Sequence, residues 1–230
     1  MIAEIKALCI AIGTVQWFGI TLHFSKLTLV AEFLVMAIVL IVRPWGLFGR
    51  PQGNARSSAA AEAPLRPSGT ALRVVAALVL AGLLVLPWAG QGDSYTVVLM
   101  IDLLIAALFA TSLHFIMGPA GLHSFGHAAY FGLGAYGAAL LVRAAGLPME
   151  VSLVLGPVVA GLGALLFGWF SVRLSGTYLA MLTLAFAQIV WSVVYQWDDF
   201  TGGGNGLVGV WPAPWLSDQV RYYYLTLALV

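Results

Sequence analysis

Two histidines four residues apart, His123 and His127, stand in the segment GLHSFGHAAYFGLGAYGAAL at 121–140. On a continuous helix that spacing puts both rings on one face. A zinc-dependent hydrolase built on such a pair needs a glutamate beside the first histidine and a third ligand. Here the intervening residues are Ser124, Phe125 and Gly126, and the other nearby histidine, His114, lies across Gly118-Pro119. The ligand set is incomplete. The stronger expectation is that one ring hydrogen-bonds within a helix bundle and the other meets polar surroundings near a helix end. A membrane metalloenzyme using His114, His123 and His127 is the weaker alternative.

Other residues could form a path rather than a catalytic centre. Asp102 lies about a third of the way into the apolar run 95–117. A carboxylate inside a membrane span costs about 2.5–3.5 kcal/mol on insertion scales and usually faces the bundle interior. A secondary transporter or channel using Asp102 and His127 as a proton relay is therefore a second alternative. Glu32 is a weaker candidate of the same kind. Small residues let membrane helices approach closely, and Ser124, Ala128 and Gly132 form one i, i+4 row. Gly134 and Ala138 form another, while the row Ala129, Leu133, Gly137 is interrupted by leucine. MGPAGLHSFG at 117–126 reads as a helix break, tolerated at membrane depth where protein or a water-filled cavity satisfies the backbone. The stretch WDDFTGGGNGLVGVWPAPW at 197–215 is a docking or gating loop or a plain connector. It lacks the GK[ST] of a nucleotide-binding loop, and Trp197, Trp211 and Trp215 read as interfacial anchors.

These residues need helices to hold them. The chain has 230 residues, 61% hydrophobic and 8% charged, against about 25% charged in soluble domains. The apolar runs suit helical spans of about 17–25 residues rather than alternating barrel strands of about 10. The expected fold is an all-α polytopic transmembrane bundle. Candidate spans lie at about 3–22 (doubtful, with Glu4, Lys6 and Gln16), 27–42, 74–89, 95–117, 125–142, 151–172 and 177–196. An eighth begins at Tyr222 and is cut off at Val230. A net charge of +1 points to no nucleic-acid partner, and no convincing signal peptide opens the chain. The single cysteine, Cys9, excludes an intramolecular disulfide.

Arg43, Arg50, Arg56, Arg66 and Arg73 fall in or beside one polar linker, which places it on the cytoplasmic side. Alternation then puts the connections 90–94, 143–150 and 197–221 outside. The composition of the linker reads as a junction between two stretches of different origin, truncated at both ends.

At this level the residues match a family. GPAGLHSFGHAAYFGLGAYGAALLV at 118–142, RLSGTYLAMLTLAFAQIVW at 173–191 and DDFTGGGNGLVGV at 198–210 resemble the Liv-type permease subunits of branched-chain amino acid ABC importers. The resemblance covers about 72–230 and is nearest the M-type subunit. Residues 20–51, ending VRPWGLFGRP, are similar to the C-terminal end of the H-type partner. The implied organisation is a partner-like tail at 1–50, a cytoplasmic linker at 51–71 and the front of a permease domain at 72–230, incomplete at its C-terminus. The joint is a natural fusion or a gene-calling product.

The resemblance implies a multi-pass protein of the bacterial inner membrane with no catalytic residue and no cofactor of its own. ATP is used by two cytoplasmic ATPase subunits. A second permease subunit and an external solute-binding protein complete the importer. The substrate class includes branched-chain amino acids, other amino acids, amides and urea-like solutes. Carried over by position, Ser124, Gly126, His127, Gly132, Gly134 and Tyr136 match the first motif. Gly176, Tyr178, Thr183, Leu184 and Ala185 match the second, and Thr201, Gly202, Gly203, Asn205, Gly206 and Leu207 the third. The candidate pathway residues are Asp102, Ser124, Gly126, His127, Tyr136, Thr201 and Asn205. His123 departs from the aliphatic residue usual there. The chain ends before the segment that meets the ATPase, so on its own it is not expected to couple to ATP.

Overall fold

The computed structural model describes residues 3–4, 7, 10–11, 14–17, 20–23, 27–43, 69–89, 94–174 and 176–230. Cys9, the linker at 44–68 and the connection at 90–93 lie outside them. Among the described residues the fold is all-α apart from one short antiparallel pair. That pair corrects the doubtful first span: β1 (Thr14–Trp17) lies against β2 (Ile20–His23), with Thr14 opposite His23 and Trp17 opposite Ile20. The β-branched and aromatic residues of TVQW and ITLH favour extended backbone, whereas the described residues 3–4, 7 and 10–11 are helical, so the candidate span is not one continuous helix.

Helix α1 (Leu27–Val42) has 16 residues, about 24 Å at 1.5 Å per residue. That is short of the roughly 20 residues a span needs. Among the described residues, five later helices are long and apolar enough to cross a membrane: α2 (Thr70–Ala89), α3 (Ser94–Met117), α4 (His127–Ala145), α5 (Met149–Ser171) and α6 (Thr177–Gln196). A one-turn helix α7 (Asp198–Thr201) and a final α8 (Gln219–Leu229) follow. The chain divides into two compact units, residues 1–50 with 112–213, and residues 51–111 with 214–230.

In the first unit, α4 and α5 form an antiparallel hairpin. Gly146 ends α4 in the left-handed conformation, φ 64°, and Leu147 N–H returns to the Leu141 carbonyl. Small residues set how close the two helices come. A Cβ on Gly156 would stand 3.0 Å from the Gly134 carbonyl oxygen and 3.1 Å from Ala138 Cβ. A Cβ on Gly137 would press into Val159, at 2.8 Å. The row interrupted by Leu133 is accommodated by its neighbour, because Leu133 Cδ1 fills the space over Gly163. Helix α1 packs on α6 through Ala37 and Leu40 against Leu182, Ala185 and Phe186. Phe167 of α5 joins them, its ring 4.6 Å from that of Phe186.

In the second unit, α8 packs its tyrosines against α2 and α3. Val97, Ile101 and Leu104, one stripe of α3, meet the fully buried Tyr223. Pro87 sits inside α2 and has no N–H to give the carbonyl four residues back, that of Leu83. Tyr223 Oη donates to that same carbonyl at 2.7 Å. Tyr224 Oη donates to the next, Leu84, at 2.9 Å and accepts from Trp88 Nε1 at 2.8 Å. The tyrosines therefore replace the bond that proline removes. Tyr223→Phe is expected to destabilise this unit by about 1–3 kcal/mol, the cost of an unsatisfied buried acceptor. The loss should shrink in a Pro87→Ala background, where the helix can restore the bond; a double-mutant cycle on thermal unfolding in detergent measures it.

Candidate functional site

The first unit contains the segment read as a helix break. Helix α3 ends in a turn closed by Gly118 N–H to the His114 carbonyl at 2.7 Å and Leu122 N–H to the Ile116 carbonyl at 3.2 Å. Gly121 supplies the positive φ of 63° that the turn requires. The chain is then non-helical to Gly126, and α4 begins at His127. His123 therefore lies outside the helix, exposed, while His127 is buried on it. The two rings do not share a helical face, which removes the geometric basis for a paired metal site.

Thr183 of α6 receives this break. Its hydroxyl accepts from Phe125 N–H at 3.1 Å and donates to the Ala180 carbonyl at 2.9 Å. Gly126 lies so close that a Cβ there would fall on the Thr183 carbonyl group. Ser124 and His127, each 8% exposed, flank this contact in sequence. The first and second sequence motifs thus meet at Gly126 and Thr183.

The third motif joins the far end of α6. Thr201 is 4% exposed, and its hydroxyl reaches the carbonyls of Val194 at 2.5 Å and Trp197 at 2.7 Å. The glycines beyond form a tight turn, with φ of 77° at Gly202, 54° at Gly203 and 70° at Gly206. A Cβ on Gly202 would collide with the Gly206 carbonyl, and one on Gly203 with Asp198 and the Tyr195 carbonyl oxygen. GGGNG is therefore a folded structural turn seated on α6.

Between these two ends runs a groove of about 350 Å³. Helix α4 lines it with Ala128, Gly132 and Tyr136, below Phe125. Helix α6 lines it with Leu184, Gln188, Trp191 and Tyr195, a single face at steps of four, three and four residues. Gly203 reaches it from the turn. Trp191 and Tyr195 stack with centroids 5.1 Å apart and planes at 16°, making a flat aromatic wall. Gln188 adds a carboxamide with both donor and acceptor. The lining carries no ionisable carboxylate, amine, guanidinium or imidazole.

Of the residues singled out from sequence, Tyr136 lines the groove. Gly126, Ser124 and His127 are buried beside its end at Phe125 and Ala128, and Thr201 anchors the turn at the other. Asn205 is exposed, its N–H bonded to the Gly202 carbonyl at 3.1 Å. Asp102 belongs to the second unit, exposed on α3. Gln188, Trp191 and Tyr195 were not singled out. Their signal was available: one amide inside the apolar run LAFAQIVW, with aromatics three and seven residues on. A variant pair separates packing glycine from groove glycine. Gly126→Ala should lower the unfolding temperature in detergent, because Thr183 backbone cannot yield to a methyl. Gly132→Ala should hold or raise it, since its Cβ meets nothing within 4 Å and alanine gains up to about 1 kcal/mol in helix propensity.

A family model described as the permease component of branched-chain amino acid transport systems matches residues 95–223. The chain is 32% identical over 145 residues to the high-affinity branched-chain amino acid transport system permease protein LivM of Escherichia coli (strain K12). That match covers 63% of this chain and 33% of the relative. The protein of the same name from Salmonella typhimurium is 34% identical over 113 residues, 49% of this chain and 26% of the relative. The chain therefore spans a third or less of the length of these relatives. No solved structure matches it.

Proposed function

The chain belongs to the permease components of branched-chain amino acid transport systems, and from that premise we propose that it forms part of the wall of an amino-acid translocation path in an ATP-driven importer of the bacterial inner membrane. The observation that carries this reading is the groove between α4 and α6. It is concave, uncharged and bounded at both ends by the segments that carry the family resemblance. Such a surface suits passage of a small zwitterion with an apolar side chain better than a proton relay, which needs titratable groups in a chain. In this reading Tyr136 lines the path, Gly126 and Thr183 fix the break that opens it, and Ser124, His127, Thr201 and Asn205 position its ends.

The transport cycle requires partners. A second permease subunit would complete the path, two cytoplasmic ATPase subunits would supply ATP hydrolysis, and an external solute-binding protein would deliver the amino acid. The chain itself performs no catalysis. Its first 50 residues act as a tail resembling that partner permease, joined through the linker at 51–71 to the permease front at 72–230.

The test is uptake of radiolabelled leucine into proteoliposomes holding the chain with its genomic neighbours for these partners. Uptake should require ATP on the ATPase side and be indifferent to a protonophore. Uptake that follows a proton gradient without ATP would overturn the proposal in favour of secondary transport.

A further inference from the structure

We propose that Gly132 is the size-determining floor of the groove and Gln188 its polar positioning contact, so that these two residues set which amino-acid side chain the path accepts; the inference rests on the translocation reading above. The glycines of α4 divide into two kinds. Gly134 and Gly137 face α5, where a Cβ would meet Ala160 at 3.4 Å and Val159 at 2.8 Å. Gly132 opens on the groove, and a Cβ there meets nothing within 4 Å. Glycine inside a helix costs stability relative to alanine, and at position 132 no helix contact offsets that cost.

What the missing side chain leaves is volume. The groove, at about 350 Å³, lies at the small end of ligand sites, which run from about 300 to 1,000 Å³. That volume is enough for a small metabolite. Across from Gly132 stands the wall of Leu184, Trp191 and Tyr195, apolar and partly aromatic, which suits an aliphatic side chain. A neutral amino acid carries its own paired charges, whereas a glutamate or lysine side chain adds a net charge that no group in the lining balances. Gln188 lies one helical turn beyond Leu184 and three residues before Trp191 on the same face. Its carboxamide can bond either an ammonium or a carboxylate group, which orients an amino acid with its side chain toward Gly132.

Two measurements test this separately from the transport reading. In the assembled importer, the maximal uptake rates of labelled leucine, valine and alanine, each measured with saturating amino acid and binding protein, give a selectivity profile of the path. Gly132→Leu should lower the leucine rate at least ten-fold and the alanine rate less than three-fold. Gln188→Leu should lower all three rates together. An unchanged profile, or an equal fall for leucine and alanine in Gly132→Leu, overturns the assignment of Gly132. In the purified chain in nanodiscs, Gly132→Cys in a Cys9→Ser background should react with a small methanethiosulfonate reagent. Millimolar leucine should slow that reaction, and glutamate should not. Protection by leucine without ATP-driven uptake supports the groove assignment and sinks the importer reading. Uptake with no protection does the reverse.

Discussion

At membrane depth a backbone N–H or carbonyl has no water to turn to, and this chain interrupts or ends its helices where that matters. Pro87 strips the Leu83 carbonyl of its helical donor, and the Tyr223 hydroxyl supplies another at 2.7 Å. The break before α4 leaves Phe125 N–H outside any helix, and the Thr183 hydroxyl accepts it at 3.1 Å. At the end of α6 the Thr201 hydroxyl lies within reach of the Val194 and Trp197 carbonyls and donates its one proton between them. Each time one side-chain hydroxyl makes an irregular backbone tolerable. These bonds add local stability, and in the first unit those of Thr183 and Thr201 hold the irregular segments at the two ends of the groove along α6.

Glycine does opposite work on the two sides of α4. Toward α5, glycines remove bulk so that helices can touch, and the gaps are filled by Ala138, Val159 and Leu133. Toward α6, Gly132 removes bulk and nothing fills the gap. Without a hydrophobic driving force in lipid, helix association depends on such close fit. A concave surface can persist beside α4 because its other side is tightly held. The stacked Trp191 and Tyr195 then give the groove a flat aromatic wall.

Much of the architecture was readable in the residues. Apolar run length placed α2 through α6 within four residues at every boundary, because a membrane helix records its own limits in composition. The first candidate span failed because hydropathy averages over side chains, whereas Thr14–Trp17 and Ile20–His23 favour an extended backbone. The site was legible in part. The three motif segments adjoin along α6. Yet His123 and His127 were paired on the assumption of continuous helix, and α4 starts only at the second. Gln188 was passed over because a single amide in an apolar run has no partner in sequence to mark it.

Sequence alone determined that the chain is helical and suited to a membrane, where its longest helices lie, and which segments resemble a transport permease. All of these follow from local composition and order. Tertiary structure decided which glycines are contacts and which are openings. It also decided that Tyr223 completes a helix 140 residues away, and that Thr183 rather than a second histidine is the residue beside the break. The physical reason is that these roles depend on what stands opposite. A glycine has no side chain to reveal its neighbour, and a hydroxyl on an apolar helix does not name the carbonyl or amide it will bond.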